Sequence, residues 1–298
     1  MASAVVFAYH NVGVRCLQVL LSRDFDVRLV VTHEDVPGEN IWFASVKNLA
    51  AELGLAVLTP DDPNCDEVVE RVRAAQPDFL FSFYYRRMLS PSLLQSPLRG
   101  AYNMHGSLLP KYRGRAPVNW AVIKGETETG ATLHVMADMP DAGAIVDQTA
   151  VPILPNDTAR EVFDKVVVAA EMTLSRCLPA LLDKRATFTA QDLSKGAYFG
   201  GRRPEDGRID WALPTSDIHN LVRGVTRPYP GAFSDTALGR LVLWRTLLLP
   251  ARDPGLPTLI LHDKQIVARC ADGGLLRILD AELNGRALTP AMLPVALT

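Results

Sequence analysis

The sequence predicts an α/β chain built on a mostly parallel sheet and followed by a smaller part of different character. Short apolar runs at residues 4–7, 27–32, 55–58 and 78–83 alternate with stretches of helical spacing at 14–21, 41–53 and 66–75. Such a βαβα series implies parallel strands covered by helices on both faces. After Arg185 the pattern changes to strand-like pieces at 241–244, 258–261 and 275–279, split by Gly200-Gly201, Gly207, Gly231, Gly239 and Gly273-Gly274. The boundary is therefore set near Gly200, with one domain over 1–200 and a second over 201–298.

Composition narrows the functional class. With 298 residues, 48% of them hydrophobic, the chain can bury a sizeable core. The 31 basic and 33 acidic residues leave a net charge of −2, so no bulk attraction to nucleic acid or to an anionic membrane is expected, and any anion site must be local. Cys16, Cys65, Cys177 and Cys270 show neither a Cys-x-x-Cys pair nor metal-ligand spacing, which reads as reduced thiols and no metal. The start, Met1-Ala2-Ser3-Ala4-Val5, places no cationic segment ahead of an apolar run, and no stretch of about 18 apolar residues occurs. A cytoplasmic protein is the expectation.

The elements follow in order. The first strand breaks at Tyr9-His10-Asn11-Val12-Gly13 and leaves a helix N-terminus beside that loop, so His10 and Asn11 either meet a phosphate or sugar or simply cap and fill the turn. No Gly-x-Gly-x-x-Gly occurs, so a nicotinamide cofactor is not indicated. The loop over 33–40 carries Glu34, Asp35 and Glu39 and no Lys or Arg, a charge that would repel phosphates. Ligands of parallel sheets bind beyond the carboxyl ends of the strands, which puts the first loop, 84–89 and 103–115 on one rim.

The most informative stretch is Asn103-Met104-His105-Gly106-Ser107-Leu108-Leu109-Pro110, continued by Tyr112-Arg113-Gly114-Arg115-Ala116-Pro117. On an extended segment the Asn103 and His105 side chains leave one face, so a single reacting centre could touch both. Lys111, Arg113 and Arg115 add cations ahead of a helix expected over 117–124. Strands are expected over 131–136 and 144–153, separated by the turn-forming Ala137-Asp138-Met139-Pro140-Asp141-Ala142-Gly143. Asp138 and Asp141 are both candidate carboxylates there. His134, inside an apolar strand, reads as a packed histidine rather than a catalyst. A helix over 158–182 opens with Thr158 and Glu161 at capping-box spacing. Ser107 lacks a Gly-x-Ser-x-Gly elbow and reads as a turn serine.

These motifs resemble the folate-dependent formyltransferases. The likeness extends through Phe7-Ala8-Tyr9-His10, Phe81-Ser82-Phe83-Tyr84-Tyr85-Arg86, Gly125-Glu126-Thr127-Glu128-Thr129-Gly130, Asp141-Ala142-Gly143 and Pro228-Tyr229-Pro230-Gly231-Ala232-Phe233. It is strongest to the branch that formylates UDP-4-amino-4-deoxy-L-arabinose, a step of lipid A modification and polymyxin resistance. The resemblance implies a Rossmann-like catalytic domain followed by an open β-barrel (OB-like) domain, 10-formyltetrahydrofolate as co-substrate, and a nucleotide-sugar acceptor. It makes Asn103 the donor to an oxyanion, His105 the proton carrier and Asp141 the partner of His105, favouring its imidazolium. It assigns folate contacts to Arg115, to Arg87-Met88-Leu89, and to Ala137, Asp138, Met139, Pro140 and Asp141. Arg87 stands where the family often has histidine, and Met139-Pro140 are more restricted than usual. Arg202, Arg203 and Arg227 are candidates for a diphosphate. The bifunctional relatives carry a decarboxylase half, so the resemblance implies either a separate decarboxylase polypeptide as a partner here or a different natural sugar. Methionyl-tRNA formyltransferase shares the chemistry, and formyltetrahydrofolate hydrolase shares the folate. The acidic 33–40 loop argues against the first, whose counterpart region is a basic tRNA-binding insertion.

Overall fold

The computed structural model describes residues 1–36 and 38–297. The expected alternation is present: β1 (Ser3–Ala8), α1 (His10–Ser22), β2 (Asp26–Val31), α2 (Val46–Glu52), β3 (Val57–Leu58), α3 (Asp66–Ala74), β4 (Phe79–Phe83), the single turn α4 (Pro91–Leu94) and β5 (Ala101–His105). The chain continues through β6 (Arg113–Gly114), α5 (Pro117–Ile123), β7 (Glu128–Val135), β8 (Ile145–Pro152), α6 (Ala159–Leu182) and β9 (Tyr198–Phe199). Two compact units result, the first comprising 1–114, 129–151 and 164–199, the second 115–128, 152–163 and 200–298.

The first unit holds a seven-stranded sheet ordered β3-β2-β1-β4-β5-β7-β8. The strands β1 to β5 pair in parallel, and β7 runs antiparallel to β5. Every residue of β1 and β4 is buried, as expected for central strands covered on both faces. The two-residue period of β4 aligns Phe79, Phe81 and Phe83 on one face, their rings stacked at 5.7 and 5.6 Å between centroids, with Tyr102 of β5 beside them. The opposite face joins Val5, Phe7, Leu29, Val31 and Leu80 to Val68, Val69 and Val72 of α3. At about 1.5–3 kcal/mol for each large apolar side chain buried, these two layers dominate the unit's stability.

Residues 41–45, expected as helix, stay outside α2. The Ala44 N–H donates to Asn11 Oδ1 at 2.7 Å, and Ser45 caps the helix by accepting from the Asn48 N–H at 3.2 Å. In the first loop Asn11 pins Ala44, and the His10 ring stacks on Phe43 at 3.9 Å.

The second unit is built on α7 (Thr215–Val225) and the strands β10 (Ala232–Thr236), β11 (Gly239–Arg252), β12 (Thr258–His262), β13 (Gln265–Arg269), β14 (Gly274–Leu283), β15 (Arg286–Ala287) and β16 (Val295–Ala296). They form an open antiparallel sheet ordered β10-β11-β14-β13-β12-β16, the barrel-like second part that was expected. Ile218 and Val222 of α7 pack with Leu241, Leu243, Leu259, Ala268 and Leu276 in its core. Among the described residues, no helix is long and apolar enough to cross a membrane.

Candidate active site

The site lies where β5 leaves the parallel part of the sheet and meets β7. Register pairs Asn103 directly with His134 and His105 with Thr132. Because side chains two apart share a face, these four stand together at one end of the strand pair. The chain then turns sharply. A Cβ on Gly106 would sit 1.7 Å from the Tyr84 hydroxyl oxygen, so any larger residue there would have to displace the Tyr84 ring. Ser107 is spent within the turn, its hydroxyl donating to the Lys111 carbonyl at 2.6 Å. Thr132 fastens the same turn, donating to the Ser107 carbonyl at 2.6 Å and accepting from the Leu109 N–H at 3.2 Å and from Gln148 Nε2 at 2.8 Å.

The His105 ring is 6% exposed. Its Nε2 lies 2.8 Å from the Tyr112 carbonyl oxygen, which can only accept, so Nε2 carries a hydrogen. In the neutral ring the lone pair is therefore on Nδ1, and Nδ1 stands 3.5 Å from Asp141 Oδ1. The same oxygen is 3.5 Å from Asn103 Nδ2 and 3.4 Å from His134 Nε2. One carboxylate oxygen thus faces all three side chains, at separations longer than the 2.7–2.9 Å of a tight charged hydrogen bond.

Asp141 is fixed from its other side. Its backbone adopts a left-handed φ of 53°, a region that aspartate tolerates better than most residues. Its Oδ2 accepts the Gly114 N–H at 2.8 Å, and Gln191 Nε2 donates to the carbonyls of Asp141 and Gly143 at 2.9 and 2.6 Å. Gly143 is required because a Cβ there would fall 1.9 Å from the Val135 carbonyl oxygen. Burial alone would raise the Asp141 pKa. The neighbouring His105 and His134 rings and the Gly114 N–H outweigh it, holding the carboxyl well below the usual carboxylate range. Asp141 is therefore an anion at any physiological pH.

Asn103, His105 and Asp141 are thus brought together, and Asp138, the other candidate carboxylate, is exposed. Ala137 and Met139 are exposed and Pro140 is half-buried. Arg87 and Met88 are exposed, whereas Leu89 is buried in the apolar core with Leu93. Asn64 holds that loop by donating to the Met88 carbonyl at 3.0 Å and accepting from the Ser90 N–H at 2.7 Å. Arg115 is exposed and is counted with the second unit. Arg113 is committed to the carbonyls of Leu193 and Gly196. In the second unit Arg227 pairs with Asp280 and Glu282 at 2.6 and 2.8 Å and stacks over Trp244, and Arg202 lies over Trp120.

His134 is packed, as expected, at 2% exposure, and it also touches Asn103 and Asp141. The loop over 33–40 is less acidic in effect than in sequence: Glu34 pairs with Lys47, Asp35 accepts from the Tyr9 hydroxyl at 2.8 Å, and Glu39 takes both arms of Arg86 at 2.9 and 2.6 Å. Its repulsion of phosphate is correspondingly weaker. Burial and the Arg86 and Arg87 charges push His33 beside it down to about 4, so the ring stays neutral and accepts the Arg86 N–H at 3.1 Å.

Comparison with known proteins agrees with this architecture. Residues 13–178 match the family described as formyl transferase, and residues 202–292 match the formyl transferase C-terminal domain. Among solved structures, an N-formyltransferase from Helicobacter canadensis, in complex with folinic acid and dTDP-3-aminofucose, is 21% identical with a TM-score of 0.75, over 93% of this chain and 99% of that one. WlaRD, a sugar 3N-formyl transferase solved with dTDP and 5-N-formyl-THF, is 20% identical with a TM-score of 0.70, over 97% and 98%. Methionyl-tRNA formyltransferase from Clostridium thermocellum is 15% identical with a TM-score of 0.59, over 95% and 99%. At these identities the likeness is one of fold.

Proposed function

The chain belongs to the formyl transferase family, and on that premise we propose that it moves the formyl group of 10-formyltetrahydrofolate to the amine of a nucleotide-linked amino sugar. The observation that carries this reading is the convergence of an amide, an imidazole and a carboxylate around Asp141 Oδ1. Formyl transfer needs those functions. The attacking amine forms a bond to the formyl carbon, charge collects on the former carbonyl oxygen, and one proton must pass from the amine nitrogen to the departing folate nitrogen.

In this reading Asn103 donates an amide N–H to the developing oxyanion. His105 takes and returns the proton at Nδ1, since its Nε2 is engaged by the Tyr112 carbonyl. Asp141, held as an anion, faces the imidazolium that forms in between. The exposed loops at 87–88 and 137–139 are the surfaces proposed to meet the folate.

Within the acceptor class, UDP-4-amino-4-deoxy-L-arabinose is the first choice, on the sequence strings shared with the enzymes of lipid A modification. The names of two solved relatives, which carry a dTDP-linked amino sugar or dTDP, support the broader class. The deciding experiment is a mass-spectrometric panel of UDP-amino sugars, dTDP-amino sugars and charged initiator tRNA, each with 10-formyltetrahydrofolate. A formyl adduct on one of the sugars is expected. An adduct on tRNA alone would overturn the sugar assignment, and release of formate without any acceptor would point to a hydrolase.

A further inference from the structure

We propose that His134 is a positioning residue whose Nε2 lone pair holds the Asn103 amide with its nitrogen, not its oxygen, on the Asp141 side. The inference deepens the formyl-transfer reading and rests on it for its catalytic meaning. Its structural content stands on hydrogen-bond sign alone.

The argument begins at the backbone. His134 Nδ1 lies 2.9 Å from the carbonyl oxygen of Val135, which can only accept. Nδ1 therefore carries a hydrogen, and in the neutral ring Nε2 is an acceptor. The atom 3.0 Å away at the side-chain end of Asn103 must then be a donor, which its nitrogen is and its oxygen is not. An asparagine side chain has two ends of similar size and opposite sign, so a partner of fixed sign is what selects between its two orientations. The antiparallel register supplies that partner by setting Asn103 directly across from His134.

The amide nitrogen has two hydrogens. One is used by His134, and the other has only the long 3.5 Å approach to Asp141 Oδ1. It can turn to an oxyanion at little cost. Were the amide reversed, its carbonyl oxygen would face the same place and repel the charge that develops there. The competing arrangement is a doubly protonated His134 that donates from Nε2 to Asp141 Oδ1, 3.4 Å away, with Asn103 flipped to accept.

Two measurements separate these states. The first is nitrogen NMR of the imidazole rings in the full chain at neutral pH, assigned with a His134→Gln variant. One protonated and one unprotonated nitrogen are expected for His134, with the hydrogen on Nδ1. Protons on both nitrogens, or on Nε2 alone, overturn the proposal whether or not any acceptor has been found. The second is steady-state kinetics with whichever acceptor the panel identifies. His134→Phe keeps a ring but removes the acceptor, and should lower kcat by about 10²-fold while KM for 10-formyltetrahydrofolate moves less than about threefold. His134→Gln, which can offer an acceptor oxygen, should recover kcat to within about tenfold of the parent. A folded His134→Phe protein with unchanged kcat, or no recovery in His134→Gln, overturns the proposal. If no acceptor is formylated by the parent, the functional reading fails and the ring-nitrogen result still decides the placement of Asn103.

Discussion

The two faces of β5 do opposite work. On one face Tyr102 and Met104, both buried, lie beside the ring ladder of β4, Tyr102 against Phe79 and Phe81 and Met104 paired with Phe83. On the other face Asn103 and His105 stand among polar partners at 2.8–3.5 Å, several of them beyond ideal hydrogen-bond length. The first face fixes where the strand lies, and the second has slack only because the first has none. Tyr102 and Met104 on one side, Asn103 and His105 on the other, thus separate apolar packing from the proposed chemistry by the alternation of a strand.

That division can be tested from its strongest consequence downward. Replacing His105 by Ala should abolish turnover, while folate binding, followed by fluorescence quenching or calorimetry, largely persists. Full activity in that variant would break the division outright. Asn103→Ala should lower kcat by about 10²–10³-fold, with a stability loss of about 1–3 kcal/mol from the acceptor it leaves unpaired on buried His134. On the opposite face, Met104→Ala should cost about 2–5 kcal/mol in denaturant unfolding yet leave kcat per folded molecule unchanged. A matching loss of kcat there would mean that the two faces are not separable.

The smallest effect concerns pH. The Asp141 carboxyl is held below its ordinary value in the folded chain, so the unfolded chain binds a proton first as pH falls. Its contribution to stability is complete above the unfolded carboxyl pKa of about 3.9 and is lost progressively below it. Asp141→Asn should therefore unfold with a shallower pH dependence between about pH 4 and pH 2 than the parent. Equal slopes would mean that the carboxylate gains nothing from its neighbours on folding.

Much of this was legible in the sequence because the relevant signals are local. Parallel strands buried on both faces read as plain apolar runs, and the spacing of Asn103 and His105 declares a shared face. The loop that presents Asp141 announces itself through Pro140 and Gly143. His134 escaped because its role comes from a cross-strand register, which no local pattern encodes. Gln191 escaped for the same reason, reaching the Asp141 loop from fifty residues away. In the second unit β11 extends over Gly239–Arg252, well beyond the four residues expected, because register shifts near Arg245 and before Arg252 break the alternation that marks a strand. The α7 helix was hidden among short runs by Gly224 and its β-branched residues, which weigh against a helix until Ile218 and Val222 find a core.

The carbonyl of Tyr112 has a kinetic consequence for the proposed reaction. By occupying Nε2 it leaves the His105 imidazole a single door, so a proton cannot enter at one edge of the ring and exit at the other. Nucleophile and leaving group must then be served in turn at one atom. The ring behaves as a shuttle that has to empty before it can refill, and the order of the two transfers is written into the turn that follows β5.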